Sequence, residues 1–185
     1  MHERRAAIPA EVRKAAASAI ATRADELVAQ VAAGNAACVS TYGAIGPELN
    51  PAALEAALLI RGCTLCLPVM VGKAKPLTFR KYAPGDQLVE RMWGIKEPPA
   101  TAAEATPSIL LVPLLAFDDQ GWRLGYGGGF YDRTLQVLRR SSVVTAVGLA
   151  YDEQRVAEVP HLDYDQPLDW VLRPSGLQRC EFSVS

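Results

Sequence analysis

The chain has 185 residues, half of them apolar and 21% charged, with a formal net charge of −1. That length supports one core of ordinary size and nothing in the composition marks a second, so residues 1–185 are expected to form a single domain. The near-neutral balance excludes a broad basic surface for a nucleic-acid backbone, so any small anion would have to be met by a few placed cations. No stretch approaches the roughly 20 unbroken apolar residues that cross a bilayer, and no apolar segment of the signal-peptide kind follows the charged start MHERRAAIPAEVRK. A soluble, cytoplasmic protein without membrane or nucleic-acid partners is expected.

Pro9 stands where a first-turn proline is tolerated, and Val12, Ala16, Ile20, Leu27 and Val31 follow close to helical spacing. This predicts a helix over 9–33, stopped by Gly34-Asn35. Residues 36–41 read as a short strand and Tyr42 to Glu48 as the loop at its carboxyl end. Asn50-Pro51 starts a second helix with a cap and a first-turn proline, and Gly62 closes it. Cys63 to Leu67 and Leu77 to Tyr82 read as strands, Pro84-Gly85-Asp86 as a turn, and Lys96 to Pro107 as a loop rich in Pro and Ala. Ile109 to Val112 is a continuous apolar run of the kind buried on both faces of a parallel sheet. A helix over 130–140 places Leu135 and Leu138 inward, and Val143 to Leu149 and Leu168 to Leu172 close the pattern as strands. Strands alternating with helices predict an α/β domain with a mainly parallel sheet, whose ligand loops gather beyond the carboxyl ends of the strands. The loops at 42–48, 113–130 and 151–165 would then share one rim.

Cys63 and Cys66 form C-x-x-C, a spacing met in redox and zinc sites. No second pair stands at ligand spacing, however, and the surrounding run is apolar, which favours buried strand cysteines.

The densest functional signal is Arg123 to Arg133, where Gly125, Gly127, Gly128 and Gly129 stand between an apolar strand and a helix. It matches neither G-x-G-x-x-G nor a P-loop. A tight turn explains one or two of these glycines. Four in five positions point instead to an anion held at the N-terminus of the following helix, with Arg123 supplying full charge. Asp132, in that helix's first turn, suits the helix dipole and also suits Mg²⁺, which takes hard oxygen ligands beside phosphates. Asp165 and Asp169 are further carboxylate candidates or ordinary loop acids. Glu48 follows Gly46-Pro47 as a surface acid or a ligand contact. Trp93 and Tyr126 offer flat faces to a heterocycle. His2 and His161 support neither a His-based nucleophile nor a metal site.

The run LLVPLLAFDDQGWRLGYGGGFYDRTL resembles the signature of the 5-formyltetrahydrofolate cyclo-ligase family, also called 5,10-methenyltetrahydrofolate synthetases. Tyr42 through Glu48, Leu67-Pro68, Leu77-Thr78-Phe79, Gly94 to Pro98, Val159-Pro160, Asp165 and Leu168-Asp169 match it in order. The resemblance implies a three-layer α/β sandwich with a mainly parallel central sheet, related to ribose-phosphate isomerase and CoA-transferase folds. It implies ATP- and Mg²⁺-dependent closure of 5-formyltetrahydrofolate, with or without a polyglutamate tail, to 5,10-methenyltetrahydrofolate, by a monomer or weak dimer. A non-catalytic folate- or nucleotide-binding relative, or a paralogue with another small substrate, is the alternative.

Carried onto this chain, the resemblance gives the ATP loop as Arg123, Leu124, Gly125, Tyr126, Gly127, Gly128, Gly129, Phe130 and Tyr131, with Arg123 and Tyr131 catalytic. Formyl-folate would meet Gly43, Glu48, Trp93 and Tyr126 to Phe130, and the metal Asp132 and Asp165. The sequence departs from the family where a Lys-x-x-x-Arg segment usually precedes the first long helix: either Met1 is internal to the natural gene product, or Arg4, Arg5 or Lys14 substitutes, or nucleotide affinity is compromised. It departs again at Ser108, where the family often has Asp.

Overall fold

The computed structural model describes residues 2–32, 37–91 and 94–181. A short helix α1 (His2–Ala6) leads into α2 (Ala10–Ala21) and α3 (Ala24–Val31) before strand β1 (Cys38–Ser40). The single helix expected over 9–33 is thus two. The Thr22 hydroxyl donates back to the Ala19 carbonyl at 2.7 Å and the Arg23 N–H closes on the Ile20 carbonyl at 3.1 Å, the kind of local bonding that competes with a helix ladder. The break lets Ala24 and Leu27 join Ile20 in the core. The stop expected at Gly34-Asn35 and the strand start at Ala36 lie outside the described residues.

Next come α4 (Ala52–Ile60), β2 (Thr64–Val69), β3 (Thr78–Tyr82), β4 (Val89–Glu90), β5 (Lys96–Glu97), β6 (Ile109–Pro113), β7 (Ala116–Phe117) and β8 (Arg123–Leu124). The chain closes with α5 (Phe130–Ser141), β9 (Thr145–Leu149), β10 (Trp170–Arg173) and β11 (Gly176–Arg179). Helix α4 begins as expected, the Asn50 carboxamide oxygen accepting the Ala52 N–H at 2.9 Å.

A seven-stranded sheet carries the order β11-β10-β9-β6-β1-β2-β3. The four inner pairings are parallel and the two outermost, β10 with β11 and β2 with β3, are antiparallel. Side chains alternate across it. Leu65, Ile109, Leu111, Val147 and Leu149 face Ile20, Leu27, Leu54 and Leu58 of α2, α3 and α4. Cys66, Leu110, Val112 and Ala146 face Leu135 and Leu138 of α5. The architecture is therefore the expected three-layer α/β arrangement with a mostly parallel centre. Burial on both faces is why β6 is apolar without a break.

Several element bounds differ from expectation for local reasons. Strand β2 runs through Pro68 because β1 pairs no further than Cys66, leaving one neighbour strand at that point. The stretch read as loop over 96–107 opens with β5, paired to β4. The last expected strand is the hairpin β10–β11, and β7–β8 is a second hairpin not foreseen. Among the described residues no helix is long and apolar enough to cross a membrane.

The β7–β8 turn is locked onto the far end of the chain. Gly121 has φ +90° and its carbonyl accepts the Leu168 N–H at 2.8 Å, while a Cβ at this position would lie 2.4 Å from the Leu168 carbonyl oxygen. Gly121→Ala therefore combines a left-handed backbone with a backbone clash, and a loss of about 2–4 kcal/mol is expected. Urea unfolding, with the midpoint lowered and the slope unchanged, measures it; a loss below about 1 kcal/mol would mean the turn relaxes freely.

Candidate active site

The parallel strands all end on one edge, and the loops that leave them there carry most of the residues singled out in the sequence. Arg123, on β8, is almost fully buried and donates through Nη2 to Asp132 Oδ1 at 2.7 Å, with Nη1 donating to the Gln166 carbonyl. The Gln166 N–H reaches the same Asp132 oxygen at 3.1 Å. This knot joins the hairpin, the start of α5 and the loop that carries Asp165. Asp165 itself closes a local turn, its Oδ2 accepting the Leu162 N–H at 2.8 Å. Asp132 Oδ2 and Asp165 Oδ1 accept no hydrogen bond among the described residues. Asp169 is committed elsewhere: its Oδ2 accepts Arg139 at 2.9 Å and the Ala146 N–H at 2.7 Å, at the amino end of β10.

Between Arg123 and α5, Leu124 to Gly128 lie open to solvent. Gly129 precedes the helix in a left-handed conformation, φ +61°, with no side-chain cap on the first turn. The free first-turn N–H groups and the dipole make this an anion-receiving end. Arg133 folds back over the loop, donating to the Gly128 carbonyl at 2.7 Å and lying 5.2 Å from the Phe130 ring centre. It leaves so little room that a Cβ on Gly129 would sit 2.7 Å from its Nη1. Its i+4 position behind Gly129 was the available signal for this role.

Glu48 is buried in the loop after β1. Its Oε2 accepts the Ile45 N–H at 2.9 Å, and its backbone carbonyl accepts the Tyr151 hydroxyl at 3.3 Å. Four tyrosines stand around this carboxylate. Burial, and then the Glu48 charge, push the Tyr131 phenol well above its ordinary range, while Arg123 pulls the other way, so Tyr131 is a neutral phenol within electrostatic reach of both charged groups. Tyr42 is shifted upward by the same two causes and donates to the Leu49 carbonyl at 2.7 Å. Partial burial raises Tyr126, with Glu48 adding to the shift and Arg5 opposing it.

The sequence reading did not foresee the partners of Arg5, one of the basic residues named as a substitute for the Lys-x-x-x-Arg segment, nor the cleft beside Glu48. Arg5, from α1, is 2% exposed and reaches Glu48 and Tyr126. A cleft of about 430 Å³ opens beside Glu48, its walls including Tyr151, Ala44 and Asn50, with Arg13 and Lys14 of α2 on the other side. Gly43 is exposed in the same loop. Trp93, the expected folate wall, lies outside the described residues.

The C-x-x-C pair is not one site. Cys63, just ahead of β2, packs with the α2–α4 side of the sheet and Cys66, within it, with the α5 side. All four cysteines are free, and no group of three or more metal-ligating side chains occurs among the described residues.

Residues 1–174 match the profile of the 5-formyltetrahydrofolate cyclo-ligase family. The 5-formyltetrahydrofolate cyclo-ligase of Haemophilus influenzae is 38% identical over 135 residues, 70% of this chain and 72% of the relative. That of Escherichia coli K12 is 37% identical over 142 residues, 74% and 78% of the two chains. Among solved structures, the 5,10-methenyltetrahydrofolate synthetase of Aquifex aeolicus superposes with a TM-score of 0.75 at 25% identity, covering 100% of this chain and 90% of the other. The synthetase of Mycoplasma pneumoniae shares the fold at TM-score 0.70 and 18% identity, covering 93% of each. The glycine loop, the seven-stranded sheet and this similarity over most of its length agree, and the chain belongs to the 5-formyltetrahydrofolate cyclo-ligase family, as an enzyme of the ligase class.

Proposed function

We propose that the enzyme closes 5-formyltetrahydrofolate to 5,10-methenyltetrahydrofolate at the expense of ATP, releasing ADP and phosphate, and that it does so in the cytoplasm. The observation that carries this reading is the adjacency of an open glycine loop at an uncapped helix N-terminus to a buried carboxylate, Glu48, ringed by tyrosines. The first suits phosphates and the second suits the amino and amide donors of a pterin ring.

Chemically, an amide oxygen is a poor leaving group. Transfer of the γ-phosphoryl group to the N5-formyl oxygen makes it a good one; N10 then attacks the formyl carbon, loses its proton, and phosphate departs with the C–O electron pair. The protein's part is positioning and charge neutralisation. Residues 124–131 cradle the phosphates through backbone N–H groups, with Tyr126 to Phe130 also bordering the formyl group. Tyr131, held neutral, is a hydrogen-bond donor available at the start of α5 within electrostatic reach of Glu48. Arg123 brings positive charge to the loop and orients Asp132. Gly43 borders the folate, and Glu48 holds it.

Mg²⁺ fits the donors present: the open oxygens of Asp132 and Asp165 are hard ligands next to the phosphate loop. When bound, the ion neutralises phosphate charge.

Incubation with 5-formyltetrahydrofolate and Mg-ATP is expected to raise the methenyl absorbance band; nucleotide binding without that band would exclude this substrate. Asp165→Asn preserves the local turn and is expected to raise the Mg²⁺ concentration needed for half-maximal rate ~tenfold or more. An unchanged Mg²⁺ titration would remove Asp165 from the metal site. Tyr131→Phe deletes only the hydroxyl, and kcat is expected to fall ~tenfold or more with the thermal midpoint within a few degrees of the parent; an unchanged kcat would leave Tyr131 a packing residue.

A further inference from the structure

A buried arginine on a five-residue helix is costly to keep. Arg5 is 2% exposed, so its guanidinium has given up most of its water, and its Nε donates to no acceptor among the described residues. Were α1 only a plug over the end of the sheet, an aliphatic side chain at this position would pack without that penalty. What Arg5 reaches is therefore informative. Nη1 donates to the Leu114 carbonyl at 3.0 Å, just past β6, and lies 3.9 Å from Glu48 Oε1. Nη2 donates to the Tyr126 hydroxyl, and the guanidinium carbon sits 5.5 Å from the centre of the Tyr126 ring.

These partners come from three chain segments, and two of them are site groups: Glu48 from the loop after β1 and Tyr126 from the glycine loop. The Leu114 carbonyl is a fixed anchor, since the Gln154 side chain also donates to it at 2.7 Å and is itself buried. A planar fork with donors on both nitrogens can brace an anchor, a carboxylate and a phenol together, which a lysine ammonium cannot do with the same geometry.

We propose that Arg5 is a positioning residue for the folate: it holds Glu48 and the Tyr126 side chain at the spacing and orientation that receive the pterin ring, while the nucleotide meets the backbone N–H groups of the loop and not the hydroxyl that Arg5 holds. This rests on the reading of Glu48 as the acid that holds the folate. Tyr126 is the more exposed of the two site partners, so without Arg5 the mouth of the site loses its registration while the Arg123–Asp132 knot stays intact.

The test compares the parent enzyme with Arg5→Met and Arg5→Lys, measuring KM for 5-formyltetrahydrofolate and for ATP separately, kcat, and the thermal midpoint. Arg5→Met is expected to raise folate KM ~tenfold or more, since truncating one member of a buried charge pair leaves the other unpaired, with ATP KM within ~twofold of the parent. Arg5→Lys keeps the charge and loses the fork, and an intermediate folate KM is expected. Adding millimolar guanidinium chloride to an Arg5→Ala enzyme is expected to recover part of the folate affinity, which sodium chloride at the same ionic strength does not. Unchanged folate KM in Arg5→Lys and Arg5→Met overturns the proposal, as does a parallel rise of both KM values that tracks a lowered thermal midpoint and is not rescued by guanidinium. Should Arg5→Met not fold, Arg5→Lys carries the comparison: a parental folate KM there overturns the proposal. A parent enzyme that binds ATP but neither binds nor converts 5-formyltetrahydrofolate defeats the reading of Glu48, and that outcome is separable because it appears before any substitution is made.

Discussion

Four parallel pairings through the middle of the sheet are the constraint on which the remaining structure depends. Parallel neighbours cannot be joined by a tight turn, so the chain must leave each strand at one edge and return across a face. Helices α4 and α5 are such crossovers, α4 on one face between β1 and β2, α5 on the other between β6 and β9. The loops that begin those crossovers all start from the same edge. Glu48, Tyr126, Arg123, Asp132 and Asp165, far apart in sequence, are gathered there as a consequence of topology before any side-chain contact is made.

Two arginines then turn this gathering of loops into a defined site. Arg123 pairs with Asp132 and takes the Gln166 carbonyl; Arg5 meets Glu48, Tyr126 and the Leu114 carbonyl. Ion pairs removed from water contribute little net stability, because desolvation offsets most of the Coulomb gain. Their value here is geometric. Each arginine joins segments that no backbone ladder joins, and each fixes a carboxylate of the site. The glycine loop needs such support because it has few side chains with which to hold its own shape.

Much of this was legible in the residues. The apolar run at β6 and the cap at Asn50 placed a strand and a helix with boundary errors of a few residues. The errors have physical causes. Thr22 and Arg23 do not interrupt the apolar spacing of the helix they break, and Pro68 is tolerated because β1 stops short of it, which only the pairing reveals. The two-residue strands β7 and β8 are too short to show alternation. Arg123, Asp132, Asp165 and Glu48 stood out by type and neighbours, whereas Arg5 was named only as one of three basic substitutes, with no partner assigned to it.

The local chemistry of Arg123 to Arg133 belongs to the sequence: glycine runs permit backbone conformations and close approaches that other residues forbid, and an acidic first turn suits a helix dipole. So does the α/β class, since alternation of apolar strands with amphipathic helices leaves few other ways to bury both. Which charges meet was decided only by the tertiary structure. Asp132 and Asp165 lie close in kind, yet one shares its oxygen with Arg123 and the other closes its own turn, and Asp169, four residues on, is turned to Arg139 instead. Arg5 became part of the site because folding placed it beside a carboxylate 43 positions away. Pairings of this kind depend on through-space distance in a region stripped of water, a quantity that order along the chain does not contain.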